Sequence, residues 1–429
     1  MTLSPAAPKS IPIAVVGGGV TGMAAALALA QGGAEVALVV RGGGAPADFR
    51  TAALFPASVQ LLRYLGIWER IAAQAAPLAA IRIIDDTGWV LKAPETVFWA
   101  HELDQPALAW NIANAELGAA LLEAVSACDR ITQIETAAAP SYRTLTDGIE
   151  ISTVEGQSLI AELVVAADGR GSPLRQFAGI GTRETKHDQT ALVTAFRHSR
   201  PHRGISNEMH RDAGPLTTVP MQSFPDGGAR SSLVWVERPR EAARLAALDV
   251  EAFRVLLQVR LQGLLGRIDD VSARMTFPLA TLEVDQFAKG RIALVGEAAH
   301  VLPPIGAQGL NLGLRDVAEL AESLLQGAER GRKGITEGAE WGLKSSLPGC
   351  LARYNQVRRL DATSRGRGVD LLNASLASGA LPLQLARGFG LHMISRIGHL
   401  RRAVMRGGAN GLAPLPRLMR DDQSVSGSM

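Results

Sequence analysis

The sequence has few cysteines and aromatic residues, and it contains no long uninterrupted apolar run. Among 429 residues there are two cysteines, Cys128 and Cys350, and aromatic residues make up 4%. Two thiols so far apart form neither a disulfide framework nor a zinc-ligand pattern, which favours a reducing compartment and ordinary buried thiols. No segment reaches the ~20 consecutive apolar residues of a membrane span. The histidines show no metal-binding spacing either, so no metal is expected.

The chain also lacks a marked excess of charge. Its formal net charge is +3, and 20% of its residues are charged. This balance argues against nucleic acid as the main partner and against wholesale disorder. Apolar residues make up 47%, which is enough for large cores, and the length predicts two sequential or interleaved domains.

An uncharged stretch between Lys9 and Glu35 allows two interpretations. One is a secretory signal peptide, because residues 28–30 read Ala-Leu-Ala and resemble a cleavage site. The other is a buried strand over 13–16 followed by a turn and a helix over 23–31. Glycines interrupt the apolar run where a signal peptide would be continuous, and this favours the second interpretation.

The turn after this first strand has the pattern GxGxxG. Gly17 would permit the tight turn, Gly19 would let backbone approach a pyrophosphate, and Gly22 would let helix and strand pack closely. The second strand ends at Val40 and Arg41, where an acidic residue usually holds the adenosine ribose. Because Arg41 would suit a 2′-phosphate, this motif by itself leaves both FAD and NADP open.

Two later segments carry further strand-to-turn motifs. Residues 163–175 run from an apolar strand into Asp168-Gly169, and residues 296–311 contain a carboxylate, a Pro/Gly loop and a helix start. In this order the three motifs resemble the FAD-dependent aromatic hydroxylases, the group A flavin monooxygenases. Residues 50–54 and 303–316 make the likeness narrower, to the hydroxylases of ubiquinone biosynthesis.

The resemblance implies a role for each matching position. Asp168 and Gly169 would touch FAD and the incoming nicotinamide, Glu297 would hold the ribityl chain, and Arg50 would lie near the flavin. The backbone at 309–311 would face the flavin pyrimidine, where helix N–H groups stabilise negative charge. The residues expected to bind the cofactor are therefore Gly17, Gly19, Gly22, Arg50, Asp168, Gly169, Glu297, Gly309, Leu310 and Asn311. No catalytic side chain is singled out, because the flavin carries the chemistry.

The chain departs from the family pattern at three positions. The family usually has an acidic residue at Val40, often an arginine at Asn114, and an aspartate in place of Glu297. Glu297 keeps the negative charge of the aspartate, but its side chain is longer. The other two departures would weaken the binding of the adenosine part.

The resemblance implies an FAD-dependent aromatic-ring monooxygenase that uses NAD(P)H and O2. Its substrate would be a polyprenylated phenol or quinol precursor of ubiquinone, and its location cytoplasmic, with attachment to the inner-membrane surface left open. Three alternatives remain at this stage: a hydroxylase of a small soluble aromatic, an NADP-linked dehydrogenase, and a non-catalytic FAD-binding scaffold of a biosynthetic complex. The nicotinamide preference, ring position, tail length and oligomeric state are not predicted.

The expected fold class is α/β, with a Rossmann-type FAD-binding domain, an inserted sheet-based substrate domain and a helical C-terminal region. Helices are predicted over 57–76 and 114–126 and from Leu310 to about Gln326. Residues 327–350 are expected to form a loop or weak helix. The FAD-binding segments are expected at 1–80, 107–183 and 281–345, the substrate segments at 81–106 and 184–280, and the C-terminal region at 346–429.

Histidines cluster in the middle of the chain. His198, His202 and His210, with Arg211, allow a proton acceptor near the substrate. An exposed, partly paired polar strand edge is the preferred interpretation. His300, three residues after the carboxylate of the third motif, is expected to be structural.

The C-terminal part is basic. From residue 351 onward there are twelve arginines against four aspartates. Apolar residues repeat there at helical spacing, at Ala386, Gly390, Met393, Ile397, Leu400 and Val404. Such a helix has two interpretations: it binds a membrane surface or a partner in a biosynthetic complex, or it docks on the core of the protein. Nearby glycines favour docking.

Overall fold

The computed structural model describes most of the chain. The described residues are 8–43, 48, 50–87, 92–304, 306–332, 346–361, 397–410 and 413–421. The strands in them are β1 (Lys9–Val16), β2 (Val36–Arg41), β3 (Thr51–Leu54), β4 (Ala76–Leu78), β5 (Ala80–Asp85), β6 (Thr96–Trp99), β7 (Ala109–Ala113), β8 (Ile131–Thr136), β9 (Ser141–Thr144), β10 (Ile149–Ser152), β11 (Ser158–Ala166), β12 (Thr182–His198), β13 (Ile205–His210), β14 (Leu216–Met221), β15 (Ala229–Glu237), β16 (Ile268–Val271), β17 (Met275–Val284), β18 (Ala288–Lys289), β19 (Ile292–Leu294) and β20 (His300–Val301).

Helices surround and connect these strands. They are α1 (Val20–Gln31), α2 (Pro56–Tyr64), α3 (Trp68–Ile71), α4 (Asn114–Ser126), α5 (Pro173–Phe177), α6 (Pro239–Ala247), α7 (Val250–Arg260), α8 (Gln308–Arg332), α9 (346–361) and α10 (Gly398–Asn410). Short 3₁₀ turns cover Ala100–Leu103, Gly296–Ala298 and Arg417–Met419.

The first large sheet is the Rossmann-type part of the fold. Strands β19, β11, β1, β2 and β8 run parallel in this spatial order. Its central strands are apolar on both faces, because helices cover both sides of a parallel sheet. Helix α1 is buried along almost its whole length. The stretch that resembled a signal peptide therefore forms β1 and α1 in this core, which is the second interpretation given above.

The second large sheet is mostly antiparallel and follows the order β20-β17-β12-β15-β14-β13-β5-β6. Helices α6 and α7 cover one of its faces through a compact apolar cluster that includes Trp235 and Phe253. The other face is turned toward a small sheet of β3, β7 and β4, because Thr51 on β3 hydrogen-bonds Ser232 on β15 at 3.0 Å. The small sheet therefore contacts the antiparallel sheet at β3.

Several expected elements differ from those observed. The single helix expected over 57–76 is split into α2 and α3, because the chain turns at Gly66 with φ 69°. Helix α8 continues through Arg332, beyond the end expected near Gln326, and the start of the segment expected as a loop or weak helix over 327–350 is helical. Strands β12 and β17 extend across the expected boundaries at 184 and 280. Helices α6 and α7 in the sheet-based part were not predicted.

Helix α10 docks beside the edge strand β6 of the antiparallel sheet through a charged residue. Arg401 forms an ion pair with Glu102, and its guanidinium lies 4.7 Å from the centre of the Phe98 ring. The apolar residues that repeat at helical spacing from Ala386 to Val404, here called the apolar row, do not make this contact. Leu400 and Val404 are 41% and 42% exposed. The helix is therefore docked, but not by the apolar row, and residues 386–393 of that row lie outside the described part. No helix among the described residues is long and apolar enough to cross a membrane.

Candidate functional site

The three sequence motifs meet at one edge of the parallel sheet. The turn at Gly17 touches the end of β11, where a Cβ on this glycine would lie 2.1 Å from the Ala167 oxygen. Thr21 in α1 lies against Gly296, with 3.0 Å between a Cβ there and Thr21 Cγ2. Since the carboxyl ends of parallel strands share one edge, segments far apart in sequence form a single site there.

The glycines of these motifs fall into two groups. A Cβ at Gly17 or Gly22 would come within 2.1 Å or 1.9 Å of a backbone oxygen, so the fold itself requires glycine there. A Cβ at Gly19, Gly169 or Gly309 would meet no atom of the described residues within 4 Å. Backbone conformation accounts for Gly169, whose φ is 83°. Neither packing nor a positive φ explains Gly19 and Gly309, whereas close approach of a ligand to the backbone does.

The N-terminus of α1 has the features of an anion site. Its cap residue Gly19 has extended backbone and offers no side chain to the first-turn N–H groups. Such N–H groups carry partial positive charge and point out of the helix. A pyrophosphate would satisfy them, which fits a dinucleotide held at this turn.

Asp168 lies directly after β11 at the same edge. Its Oδ2 accepts a hydrogen bond from the Leu174 N–H at 3.1 Å, while its buried Oδ1 has no partner among the described residues. Burial raises the pKa of this carboxyl, against the opposing effect of hydrogen bonds from Ser172 and Leu174. A buried acceptor without a donor costs free energy, and a ligand hydroxyl would remove that cost.

Glu297 lies in the 3₁₀ turn that follows β19, and its side chain is exposed. The turn is fixed on both sides: Asp316 accepts from the Gly296 N–H at 2.8 Å, and Arg175 donates to the Ala298 carbonyl at 2.8 Å. The carboxylate therefore projects from a rigid backbone at the edge where Gly19 and Asp168 lie.

Arg50 lies between the two parts of the molecule. Asp48 accepts hydrogen bonds from its Nε and Nη2 at 2.8 and 2.9 Å, and the guanidinium lies 5.2 Å from the centre of the Phe277 ring on β17. Asn114 also donates to Asp48, at 3.0 Å. Burial opposes ionisation of Asp48, but these donors outweigh it and hold its pKa below the ordinary value. Asn114, where the family often has arginine, thus helps to hold the loop that carries Arg50.

The side chain of Asn311 fixes the start of α8, a role that the sequence analysis did not assign. Its Oδ1 accepts from the Phe55 N–H at 2.8 Å and from the Ser58 hydroxyl at 2.7 Å. Its amide donates to the carbonyls of Ala53 and Ala307 at 2.8 and 2.7 Å. All of its contacts are thus with protein, and only the backbone here remains for a ligand.

A buried cluster of charges lies behind the turn that carries Glu297. Asp316 accepts from His300 at 2.6 Å and from Arg358 at 2.7 Å, and Arg358 also bonds Asp361 at 2.6 Å. Burial raises the pKa of Asp316, but the charges of His300 and Arg358 hold it below its ordinary value. His300 is therefore structural, as expected. Arg358 was not predicted as part of this cluster, because Asp316 lies on α8, far from it in the sequence.

The face of the antiparallel sheet that is turned toward Arg50 and Thr51 carries a row of directly opposed residues. Val193 is paired with Met275 and with Val234, Val234 with Thr217, and Thr217 with Glu208. Direct cross-strand partners point to the same face of a sheet. We call these five positions the central row; it forms an apolar and weakly polar surface that ends in a carboxylate.

The middle histidines are not at an exposed strand edge, so the preferred interpretation was wrong about their surroundings. His198 is buried between the Arg200 carbonyl and the Ser231 hydroxyl, each at 2.9 Å, and burial lowers its pKa. His202 bonds the Met221 carbonyl at 3.1 Å. The pattern of polar residues predicted that these histidines are exposed to solvent, but the antiparallel sheet covers them.

His210 differs because it bonds an acid. It is 4% exposed, and its Nε2 lies 2.9 Å from Glu208 Oε1. Arg211, next in sequence, does not join this pair: it bonds Glu237 at 3.0 Å and lies over the Trp235 ring.

The end of β2 shows what replaces the expected acidic residue. Val40 is half-buried and packs on the turn, since a Cβ at Gly18 would lie 2.8 Å from Val40 Cγ1. Arg41 is exposed at the strand end. The residues at this edge fit FAD. They comprise an uncapped helix N-terminus, three glycines at which a Cβ would meet none of the described atoms, a buried carboxylate oxygen without a partner among the described residues, and an exposed carboxylate. Among the described residues, no group of three His, Cys, Asp or Glu is placed to hold a metal ion.

Comparison with known families and proteins agrees with this geometry. Residues 10–336 match the FAD binding domain family. The chain is 35% identical to the ubiquinone hydroxylase UbiL of Rhodospirillum rubrum over 96% of this chain and 94% of that protein. It is 31% identical to the 3-demethoxyubiquinol 3-hydroxylase of Escherichia coli over 92% of this chain and 97% of that protein.

Solved structures share the fold. The crystal structure of p-nitrophenol 4-monooxygenase PnpA from Pseudomonas putida matches with a TM-score of 0.74 at 19% identity, over 95% of this chain and 100% of that one. The monooxygenase PieE, solved with FAD and substrate, matches with a TM-score of 0.68 at 20% identity, over 96% of this chain and 75% of that one.

Proposed function

The chain belongs to the FAD-dependent aromatic hydroxylases, among the hydroxylases of ubiquinone biosynthesis, and from this we propose its substrate and the roles of its residues. It hydroxylates the ring of a polyprenylated phenol or quinol precursor of ubiquinone, with NAD(P)H as reductant and O2 as oxygen source. The observation that carries this proposal is the position of Arg50. The pKa of Arg50 is raised by its hydrogen bond to Asp48 and also by the charge of Glu297, at the edge of the parallel sheet. The guanidinium lies over Phe277 on β17, the strand that also carries Met275 of the central row.

In this proposal the backbone binds the cofactor phosphates. The N–H groups at Gly19 meet the pyrophosphate, and the Asp168 carboxylate and Glu297 bind hydroxyl groups of the cofactor chain. Gly169 and the backbone of Gly309, with its neighbours Leu310 and Asn311, leave room for close approach. When bound, FAD supplies the redox chemistry of the reaction.

The substrate ring lies on the central row. Val193, Val234 and Met275 are apolar and directly opposed, which suits the flat face of an aromatic ring. Burial there excludes water from the reacting atoms. The names of the relatives, which refer to ubiquinone hydroxylation, support a quinone precursor over a small soluble aromatic.

The test is to purify the protein and to measure bound FAD, NADPH oxidation and product. We expect a yellow protein whose NADPH oxidation rises on addition of 2-geranylphenol, with a product heavier by one oxygen atom. Colourless protein that does not bind added FAD would overturn the proposal. FAD without phenol-stimulated oxidation or product would favour the non-catalytic scaffold. Stimulation by phenol itself but not by the prenylated probe would favour a small soluble substrate.

We further propose that the exposed apolar row of α10 contacts an anionic membrane surface. Ile397, Leu400 and Val404 are 40%, 41% and 42% exposed, and Arg402 and Arg406 lie on the same helix. Apolar residues flanked by arginines bind at the boundary of an anionic bilayer, and each arginine contributes about 1 kcal/mol. A polyprenylated substrate dissolves in that bilayer, so this contact would bring the enzyme to it.

Sedimentation with vesicles of phosphatidylglycerol tests this contact. The double variant Arg402→Gln, Arg406→Gln should bind them roughly tenfold or more weakly. Its melting temperature should match the wild type, because neither residue forms the Arg401 contact. Equal sedimentation of wild type and variant would contradict a membrane role for this helix.

A further inference from the structure

We propose that Glu208 accepts the proton of the substrate's ring hydroxyl, and that His210 positions its carboxylate. This assignment rests on the proposed function and adds a proton acceptor to it. A phenol that loses its proton becomes more electron-rich, so an acceptor at the ring hydroxyl favours transfer of oxygen to the ring. The O–H bond breaks, its electron pair remains on the ring oxygen, and the proton goes to the carboxylate.

The position of Glu208 is the first observation behind this assignment. It ends the central row as the direct partner of Thr217, which is the direct partner of Val234. Direct partners are about 5 Å apart, so Glu208 lies roughly 10 Å from Val234 along the face. A ring above Val234 and Thr217 would therefore point a substituent at Glu208.

The chemistry of the central row is the second observation. Glu208 is its only ionisable residue: the other four are Val193, Val234, Thr217 and Met275. The next partner beyond it, Ile83 on β5, is also apolar. Placing a carboxylate at the end of such a row costs desolvation free energy, so apolar packing does not explain its presence.

The hydrogen bonding of Glu208 leaves one oxygen available. His210 lies two residues along the same strand, on the same face, and its Nε2 is 2.9 Å from Oε1. No hydrogen bond reaches Oε2 from the described residues. The side chain is 14% exposed, so Oε2 is reachable from the face while the imidazole fixes the carboxylate orientation.

The other charged groups near Glu208 form contacts with residues other than Glu208. Asp85 on β5, the direct partner of His210, accepts from the Thr87 hydroxyl at 2.5 Å and from the Ala93 N–H at 2.9 Å. Arg211 pairs with Glu237 at 3.0 Å and with the more distant Asp86 at 3.8 Å. On β14 and β15, the central-row residues packed beside Glu208 are uncharged. The pair of Glu208 and His210 is thus the acid–base group that faces this surface.

The test compares Glu208→Gln with wild type in hydroxylation of 2-geranylphenol between pH 6 and pH 10. At neutral pH the variant should lose roughly 10²- to 10⁴-fold in kcat. Its rate should recover as the pH approaches about 10, where a free phenol ionises without help. FAD content and NADPH-driven flavin reduction without phenol should equal the wild type. His210→Asn should lose less, because the carboxylate remains.

Matched variants separate a chemical from a structural role. Glu241→Gln removes an exposed carboxylate on α6, behind the other face of the sheet, and should leave rate and pH profile unchanged. Glu208→Asp keeps an acceptor and should retain the wild-type profile with a smaller loss, which also serves if Glu208→Gln is unstable. Wild-type activity of Glu208→Gln at neutral pH, or an equal loss at every pH, would overturn the assignment. Wild type that hydroxylates no phenol would overturn the proposed function itself.

Discussion

The two large sheets present their proposed ligands in different ways. The parallel sheet uses its edge and its backbone: the positions that matter are glycines and helix N–H groups where strands end. The antiparallel sheet uses its face and its side chains, in the central row from Met275 to Glu208. The edge therefore depends on exact backbone geometry, whereas the face can change its side chains and keep the fold. If the substrate lies on the second sheet as proposed, its side chains can change substrate preference while the proposed cofactor site on the first sheet stays intact.

The largest effect should come from the buried charges that hold the edge in place. Arg358→Met removes a fully buried guanidinium and leaves the carboxylates of Asp316 and Asp361 without it. We expect the free energy of unfolding to fall by about 3–5 kcal/mol. The control is Arg353→Met, one turn earlier on α9 and 41% exposed, which should cost at most about 1 kcal/mol. Equal losses in urea unfolding would mean that the buried cluster does not stabilise the edge.

Acid should reveal the same cluster. The pKa of Asp316 in the folded protein is held below its ordinary value. The Asp316 carboxylate therefore stabilises the fold fully at pH values above the ordinary pKa, and this stabilisation is lost as the pH falls through the pKa of the folded state. The free energy of unfolding of wild type should therefore fall steeply below about pH 4. Asp316→Asn should be less stable at neutral pH and should show a shallower acid dependence. Parallel curves for the two proteins would contradict this account.

The next effect concerns the two groups of glycines. Gly19→Val should give a folded protein that purifies without FAD, because a Cβ there meets no atom of the described residues within 4 Å and would occupy the space proposed for the phosphate. We expect a loss of roughly 100-fold or more in FAD affinity. Gly22→Val should instead destabilise the fold, since its Cβ would lie 1.9 Å from the Gly17 oxygen. A yellow Gly19→Val protein at full occupancy would show that the phosphate turn is misassigned.

A smaller effect on FAD affinity is expected at Glu297, because only its side chain is proposed to bind the cofactor. Removing one charge-assisted hydrogen bond costs ~1.5–3 kcal/mol, roughly ten- to more than a hundred-fold in FAD affinity for Glu297→Ala. Glu297→Gln should lose less, and Glu297→Asp should be tolerated best if the turn follows the shorter side chain. The measurement is the FAD dissociation constant from flavin fluorescence. Equal affinity in wild type and Glu297→Ala would mean that this carboxylate does not touch the cofactor.

The smallest effect on stability should come from the exposed row of α10. Leu400→Asp replaces a residue that is 41% exposed, so the free energy of unfolding should change by no more than about 0.5 kcal/mol. Leu257→Asp, on the buried side of α7, should unfold the apolar cluster between α7 and the antiparallel sheet. If Leu400→Asp is as damaging as Leu257→Asp in thermal melts, the row is part of the core after all.

The parallel half was largely predictable from the sequence. Its glycine turn, its Asp168-Gly169 turn and the boundaries of α4 follow from local patterns, and the fold class is confirmed by the family match. The antiparallel half was predicted less well: α6 and α7 were missed, and the environment of His198 was wrong. Strands in that half combine residues distant in sequence, and no local pattern specifies which face is covered.

The family and the cofactor could be read from the chain alone, and the places where backbone approaches a ligand stay a prediction from its glycines, since a glycine requirement is a local property. Which side chains act together depends on the packing of distant segments. The pairing of Arg358 with Asp316, the four hydrogen bonds of Asn311 and the alignment of Glu208 with Thr217 each join residues of different elements. Such contacts depend on strand register and helix packing, and a shift of one residue in register would turn every side chain of a strand to the opposite face.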